Sequence, residues 1–159
     1  MKKNLSLFNL FYERLFKIND SPQKIALGLG LGVFAGILPG TGPLAALFLA
    51  FIFRANRASA LLGSLATNTW ISFVTFVLAI KIGSAILGVS WLDVQAGWQE
   101  FINTFGWGNL LKHSVLEIVF PVAIGYLLVS FSLGVIVYII SWGIVKGIRK
   151  ANIKKEEIK

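Results

Sequence analysis

From Ile25 to Phe53 the chain carries no charge, and three further apolar runs follow: Ala58–Ile80, Ile82–Leu92 and Ile118–Val145. Charged and polar residues gather in the short stretches between them. The first run is interrupted at its centre by Pro39-Gly40-Thr41-Gly42-Pro43. Two prolines remove backbone donors and two glycines free φ, so the pattern predicts two half-helices, Ile25–Leu38 and Leu44–Phe53, joined by a non-helical turn. At 1.5 Å per residue the halves are roughly 21 and 15 Å long, too short to cross a hydrocarbon core about 30 Å thick. Ser21 as N-cap with Pro22 at the first helical position starts the first of them.

The second run is interrupted by Thr67-Asn68-Thr69-Trp70. Taken with the stretch beyond it, this predicts a broken segment over 58–92, its second part crossing from Ile71 to Leu92 with Lys81 near the midpoint. Asp93 to Lys112 reads as a short mixed stretch carrying interfacial tryptophans, and a long apolar helix is expected over 115–145. Ahead of the runs, Phe8, Phe11, Leu15 and Ile18 fall at helical spacing among Lys2, Lys3, Arg14 and Lys17. That spacing predicts a basic amphipathic helix over 1–19, lying on an anionic membrane surface or docking a partner.

Composition sharpens the class. Of 159 residues 56% are hydrophobic and only 14% charged, where a soluble domain carries about a quarter. Mean hydropathy is +0.77. The formal charge of +8 comes from cations that flank the apolar runs, as the positive-inside rule requires, and not from a nucleic-acid face. Lys24 stands before the first run and Arg54 and Arg57 after it. Both ends are therefore expected in the cytoplasm, making 25–53 a re-entrant helical hairpin; the rival is one long kinked span. The N-terminus lacks a cleavage pattern and is expected to be retained. The fold class expected is all-α: a polytopic inner-membrane protein of one domain, 1–159. It comprises the cytoplasmic amphipathic helix, a membrane core over 20–145 and a basic cytoplasmic tail over 146–159, with both termini cytoplasmic.

The chain has no cysteine and one histidine, His113. Metal ligation, cofactor binding and acid–base catalysis have little to work with, so no enzyme activity, cofactor or metal is expected. His113 and Glu117, four apart, read as a local hydrogen bond. Gly28, Gly32 and Gly36 recur every fourth residue and predict a flat stripe for close helix packing; no phosphate-loop pattern follows Gly42. Asn68 and Thr69 are either interhelical glue or part of a site, and Lys81 is either a functional charge or one that snorkels to an interface.

At Ser21-Pro22, Ile25-Ala26-Leu27-Gly28, Gly32-Val33-Phe34, Pro39-x-x-Gly42, Arg54-x-Asn56-Arg57, Gly63 and Asn68 the chain resembles a prokaryotic membrane family known as domain of unknown function 2062. The resemblance runs from about Ser21 to Tyr138. It departs at Thr69, where the family usually has proline, and at Pro43-Leu44, where a polar residue is common. The resemblance implies a helical membrane protein, in some cases fused or adjacent to glycosyltransferase-type enzymes.

The leading functional expectation is a small transporter or translocator of an anionic or polyprenyl-phosphate-type substrate. Half-helix N-termini aimed into the membrane suit anionic groups. Pro39, Gly40, Thr41 and Gly42 would offer backbone groups, Asn56, Asn68 and Thr69 orientation, and Arg54 and Lys81 charge. The alternative is an accessory protein that docks a cytoplasmic partner of glycosyltransferase type. A twofold homodimer is expected, because one protomer leaves little room for a path.

Overall fold

A computed structural model of the chain describes residues 20–40, 42–67, 69–103 and 113–157. The expected helix over 1–19, Thr41 and Asn68 lie outside those residues. All regular structure among the described residues is helical: α1 (Pro22–Ile37), α2 (Gly42–Ile52), α3 (Arg57–Ala66), α4 (Thr69–Leu87), α5 (Trp91–Asn103) and α6 (His113–Glu157). Their contacts divide the chain into two units. One holds the chain up to Ala66 together with the stretch from Leu133 onward, and the other holds Thr67–Ser132, so α6 serves both.

In the first unit α1 begins where expected, with the Ser21 hydroxyl accepting from the Lys24 amide and Pro22 in the first turn. It ends at Ile37, before the Pro39–Gly40 turn. Gly40 and Gly42 adopt φ of +79° and +48°, the left-handed region that glycine enters without steric cost. α2 then folds back along α1. Its alanines 46 and 50 are buried with Ala35, and Leu27, Leu31 and Leu49 pack around them. The return is closed at its far end, where the Asn56 amide donates to the Lys24 carbonyl at 2.9 Å.

Two glycines of α1, Gly28 and Gly32, meet neighbouring backbone on one side of the helix. A methyl group at Gly28 would strike the Asn56 carbonyl and Ser59, and one at Gly32 would strike the Ala60 carbonyl. From the facing helix, one at Gly63 would strike the Leu29 carbonyl. Backbone meets backbone here because no side chain stands between them. Gly30, two residues and about 200° around α1 from Gly28, serves a different neighbour. A Cβ there would lie 2.7 Å from the Gly134 carbonyl of α6 and 3.1 Å from Tyr138.

The second unit is built around α4. Contrary to the expected crossing from Ile71 to Leu92, α4 stops at Leu87, and Gly88 at φ +69° turns the chain. The Val89 amide reaches back to the Ser84 carbonyl at 3.0 Å, the six-to-one bond of a helix end closed by a left-handed residue. What was read as a mixed stretch after Asp93 begins as a helix, α5, which folds back onto α4. Val94 is buried with Ile80 and Val122, and Phe76 lies between Trp98 and Tyr126 with ring centroids 5.9 and 6.3 Å away. Beside that cluster, Gly83 faces the Pro121 carbonyl of α6 and Gly125 faces the Ala79 carbonyl, each too close for a side chain.

The long C-terminal helix does not stop with its apolar run. α6 continues through the basic residues to Glu157, and its stretch from Ile118 to Ala151 is long and apolar enough to cross a membrane. Pro121 sits inside it.

Candidate functional site

A hydrogen-bonded corner lies where α2 ends and α3 begins. α2 terminates with the same motif as α4: the Ala55 amide donates to the Ala50 carbonyl at 2.8 Å and the Arg54 amide to the Phe51 carbonyl at 3.2 Å. Ala55 and Ala50 supply the apolar contact that accompanies this closure. The residue that must turn left-handed is Arg54, at φ +52°, in the place Gly88 fills after α4. Holding a non-glycine residue there costs about 1 kcal/mol. Among the described residues Arg54 is the one non-glycine with positive φ.

Asn56 follows at once and caps α3. Its Oδ1 accepts from the Ser59 amide at 2.8 Å and from the Ser59 hydroxyl at 3.0 Å. Its Nδ2 donates to Asp20 Oδ2 at 2.7 Å, which ties the start of α1 to the start of α3. Arg149 of α6 donates to the Asp20 carbonyl. The Asn56 side chain is only 7% exposed, and its amide is engaged at both ends.

Around this buried tie opens a groove of about 490 Å³, bordered by Asp20, Lys24, Arg54 and Arg57 and by the last turn of α2. Arg57 lies over the Phe51 ring at 5.3 Å, and no described carboxylate pairs with Lys24 or Arg54. Three cations therefore face one carboxylate, and that carboxylate already accepts from Asn56. The amino-terminal ends of α1 and α3 reach the same corner, adding partial positive charge. The arrangement suits an anion approaching from the groove.

The residues expected to form one site are spread out. Arg54 and Asn56 come together, but Asn56 is a structural cap and Arg54 borders the groove. Pro39 and Gly40 are exposed, and nothing stands within 4 Å of where a side chain at Gly40 or Gly42 would begin. That turn is separated from the basic corner by the length of α2, roughly 16 Å. Thr41 and Asn68 lie outside the described residues, and Thr69 is described only as the first residue of α4. Lys81, expected halfway along a crossing, is the thirteenth of the 19 residues of α4. It is exposed, with its ammonium over the Trp91 ring at 5.2 Å. Gly28 and Gly32 face the backbone of residues 56–63. Lys24, Arg57 and Asp20 were not foreseen as site residues. The signal was present, since the same two cations were counted as marks of topology.

Among the described residues one buried polar atom is left over: the Ser84 hydroxyl of α4, 1% exposed, has no hydrogen-bond partner there. Other buried hydroxyls in the same unit satisfy themselves on their own helix, Thr75 on the Ile71 carbonyl at 2.8 Å and Ser130 on that of Leu127 at 3.2 Å.

A family model described as an uncharacterized protein conserved in bacteria (DUF2062) matches residues 5–154. The chain belongs to that family, and the match extends beyond both ends of the resemblance read from the motifs. No curated protein and no solved structure matches.

Proposed function

We propose that this member of the DUF2062 family is a polytopic inner-membrane protein that captures the anionic head of a lipid-linked substrate at the basic corner, as the loading step of a translocator. The observation that carries the reading is the trio Lys24, Arg54 and Arg57, set against Asp20 as the one carboxylate among the described residues that border the groove, beside a helix coated with exposed apolar side chains. Leu44 is 81% exposed, Phe48 64% and Phe51 63%. In water such a surface is unfavourable; against acyl chains it costs nothing.

The same geometry supports the re-entrant hairpin. α1 and α2 have 16 and 11 residues, roughly 24 and 16 Å, each short of the hydrocarbon thickness. Because Asn56 bonds to Lys24, the cations at the two ends of the hairpin share one side, and the positive-inside rule makes that side cytoplasmic. The exposed faces of α4 and α6, among them Phe73, Leu127, Phe131, Ile139 and Ile140, then lie against lipid, and the basic end of α6 lies with the corner in the cytoplasm. An anionic headgroup attracted there gains about 1 kcal/mol per cation.

The test is reconstitution into liposomes with a polyprenyl phosphate. The intact protein should retain the lipid through a wash and move it between leaflets, whereas Arg54→Ala/Arg57→Ala should do neither while keeping its helical content. Equal retention by the double variant would overturn the assignment of the corner. Retention without movement would restrict the protein to binding.

A further inference from the structure

We infer that the second unit holds a separate lipid site, in which one hydrocarbon chain of an anionic lipid lies between α4 and α5 with its headgroup at Lys81. The site rests on the membrane reading above but not on the basic corner. Where α5 folds back over α4 the two helices do not close completely. A cavity of about 180 Å³ remains, walled by Phe73, Val77 and Ile80 from α4 and by Trp91 and Trp98 from α5. Its lining is almost wholly apolar and aromatic. Gln95 and Gln99, one turn apart on α5, supply the polar edge.

Helical geometry explains why the cavity has one charged end. Counting 100° per residue, Val94, Trp98, Trp91, Gln95 and Gln99 occupy one side of α5, and Asp93 and Glu100 fall about 180–200° from Trp91. The acids of α5 therefore point away. On α4, Phe73, Phe76, Val77 and Ile80 form one stripe, and Lys81 borders it. The Lys81 ammonium rests over the Trp91 ring, and Trp91 is itself part of the cavity wall. No described carboxylate pairs with this ammonium. A cation at the mouth of an apolar slot, with nearby acids turned aside, complements an amphiphile with a negative head and a hydrocarbon tail. Neither a soluble anion nor a neutral lipid uses both features. Phe73 and Val77 are also exposed, so the slot is open to the apolar surface from which a chain enters.

The experiment uses the full chain in nanodiscs and two probes, phosphatidic acid and phosphatidylcholine, each with a diazirine in its acyl chain. After irradiation, adducts are mapped by mass spectrometry. Phosphatidic acid should label residues 73–80 and 91–99, saturably, and more than phosphatidylcholine does. Val77→Trp fills the slot and should reduce that labelling to background while leaving labelling of the corner helices unchanged. Lys81→Gln should weaken phosphatidic acid labelling about two- to fivefold and leave phosphatidylcholine unaffected, as expected for one partly exposed charge. Unsaturable labelling spread equally over Leu127 and Phe131 means bulk lipid only and overturns the site. So does labelling that persists in Val77→Trp. Failure to enter nanodiscs at all would instead remove the membrane reading itself.

Discussion

The two units solve the same packing problem with opposite chemistry. Each brings helices so close that a methyl group would strike a neighbouring carbonyl, at Gly28, Gly32 and Gly63 in one and at Gly83 and Gly125 in the other. In the first unit the seam ends in a polar tie: Asn56 reaches Asp20, Ser59 and the Lys24 carbonyl, and Arg149 reaches Asp20. In the second, the neighbours along the seam are apolar. The Thr75 and Ser130 hydroxyls bond to their own helices, and that of Ser84 finds no partner among the described residues. A glycine seam alone therefore does not reveal what medium surrounds it. The polar groups beside it separate the two: the corner gathers three cations and an aspartate that water solvates well, whereas the second seam presents almost no polar side chain.

The largest effect should come from breaking the dry seam. Gly125→Leu forces a side chain into the Ala79 backbone, where no rotamer gives relief. The expected loss is about 3 kcal/mol or more, seen as loss of the cooperative melt in detergent. Gly97→Ala is the control. Its new methyl would meet the Ile118 side chain, Cδ1 at 2.7 Å and Cγ1 at 2.9 Å, which can move where backbone cannot, and the melting temperature should move far less than for Gly125→Leu. If Gly125→Leu melts as the wild type does, α4 and α6 are not in backbone contact.

Next comes the polar tie. Asn56→Ala removes the cap of α3 and leaves Asp20 without its amide partner. It should cost about 2–3 kcal/mol by thermal or denaturant unfolding. Asn56→Asp keeps an acceptor for Ser59 but sets a second carboxylate against Asp20. Its loss should ease in high salt, which screens the two carboxylates from each other. Equal losses for both variants at high salt would show that the bond to Asp20 alone matters.

Much of this arrangement was legible in the chain. Ser21-Pro22 marked the start of α1, Pro39–Pro43 the turn after it, although α2 begins already at Gly42, and Thr67–Trp70 an interruption of the second run, although α4 begins already at Thr69. Each is a local signal with a local cause. The misses have causes too. α5 was hidden because Trp91, Val94 and Trp98 stand at spacings of three and four inside a stretch whose tryptophans and glycines suggested an interfacial loop. α6 outran its apolar run because lysine and arginine are good helix formers, so a helix need not stop where hydropathy does. Gly30 was set outside the stripe, as its spacing required, yet it meets a helix more than a hundred residues away. Arg54 carries no sequence mark of its conformation. Only the closure of α2 around it shows an arginine where the equivalent end of α4 has glycine.

That substitution of one residue type for another gives a third, smaller prediction. Arg54→Gly relieves the left-handed strain and should leave stability unchanged or raise it by up to about 1 kcal/mol. Retention of an anionic lipid at the corner should fall at the same time. A residue kept for stability would show the reverse, with lower stability and unaltered binding. Both measurements can be made on one preparation, so the two roles separate directly.

The smallest effect tests the dry side of the contrast. Removing an unpartnered buried hydroxyl removes a cost rather than a bond, so Ser84→Ala should be neutral or stabilise by less than about 1 kcal/mol. The Ser84 carbonyl, which closes α4 onto Val89, is unaffected by the change. Ser130→Ala is the comparison, because its hydroxyl bonds to the Leu127 carbonyl. That carbonyl keeps its helical partner, so the cost should be a few tenths of a kcal/mol at most. A loss at Ser84 as large as that of Asn56→Ala would mean the hydroxyl holds a bridging water, and the second unit would then be as wet at its seam as the first is at its corner. Near-neutral melts for both serine variants, beside a clear loss for Asn56→Ala, would place the water-facing end of this protein at the α2–α3 corner.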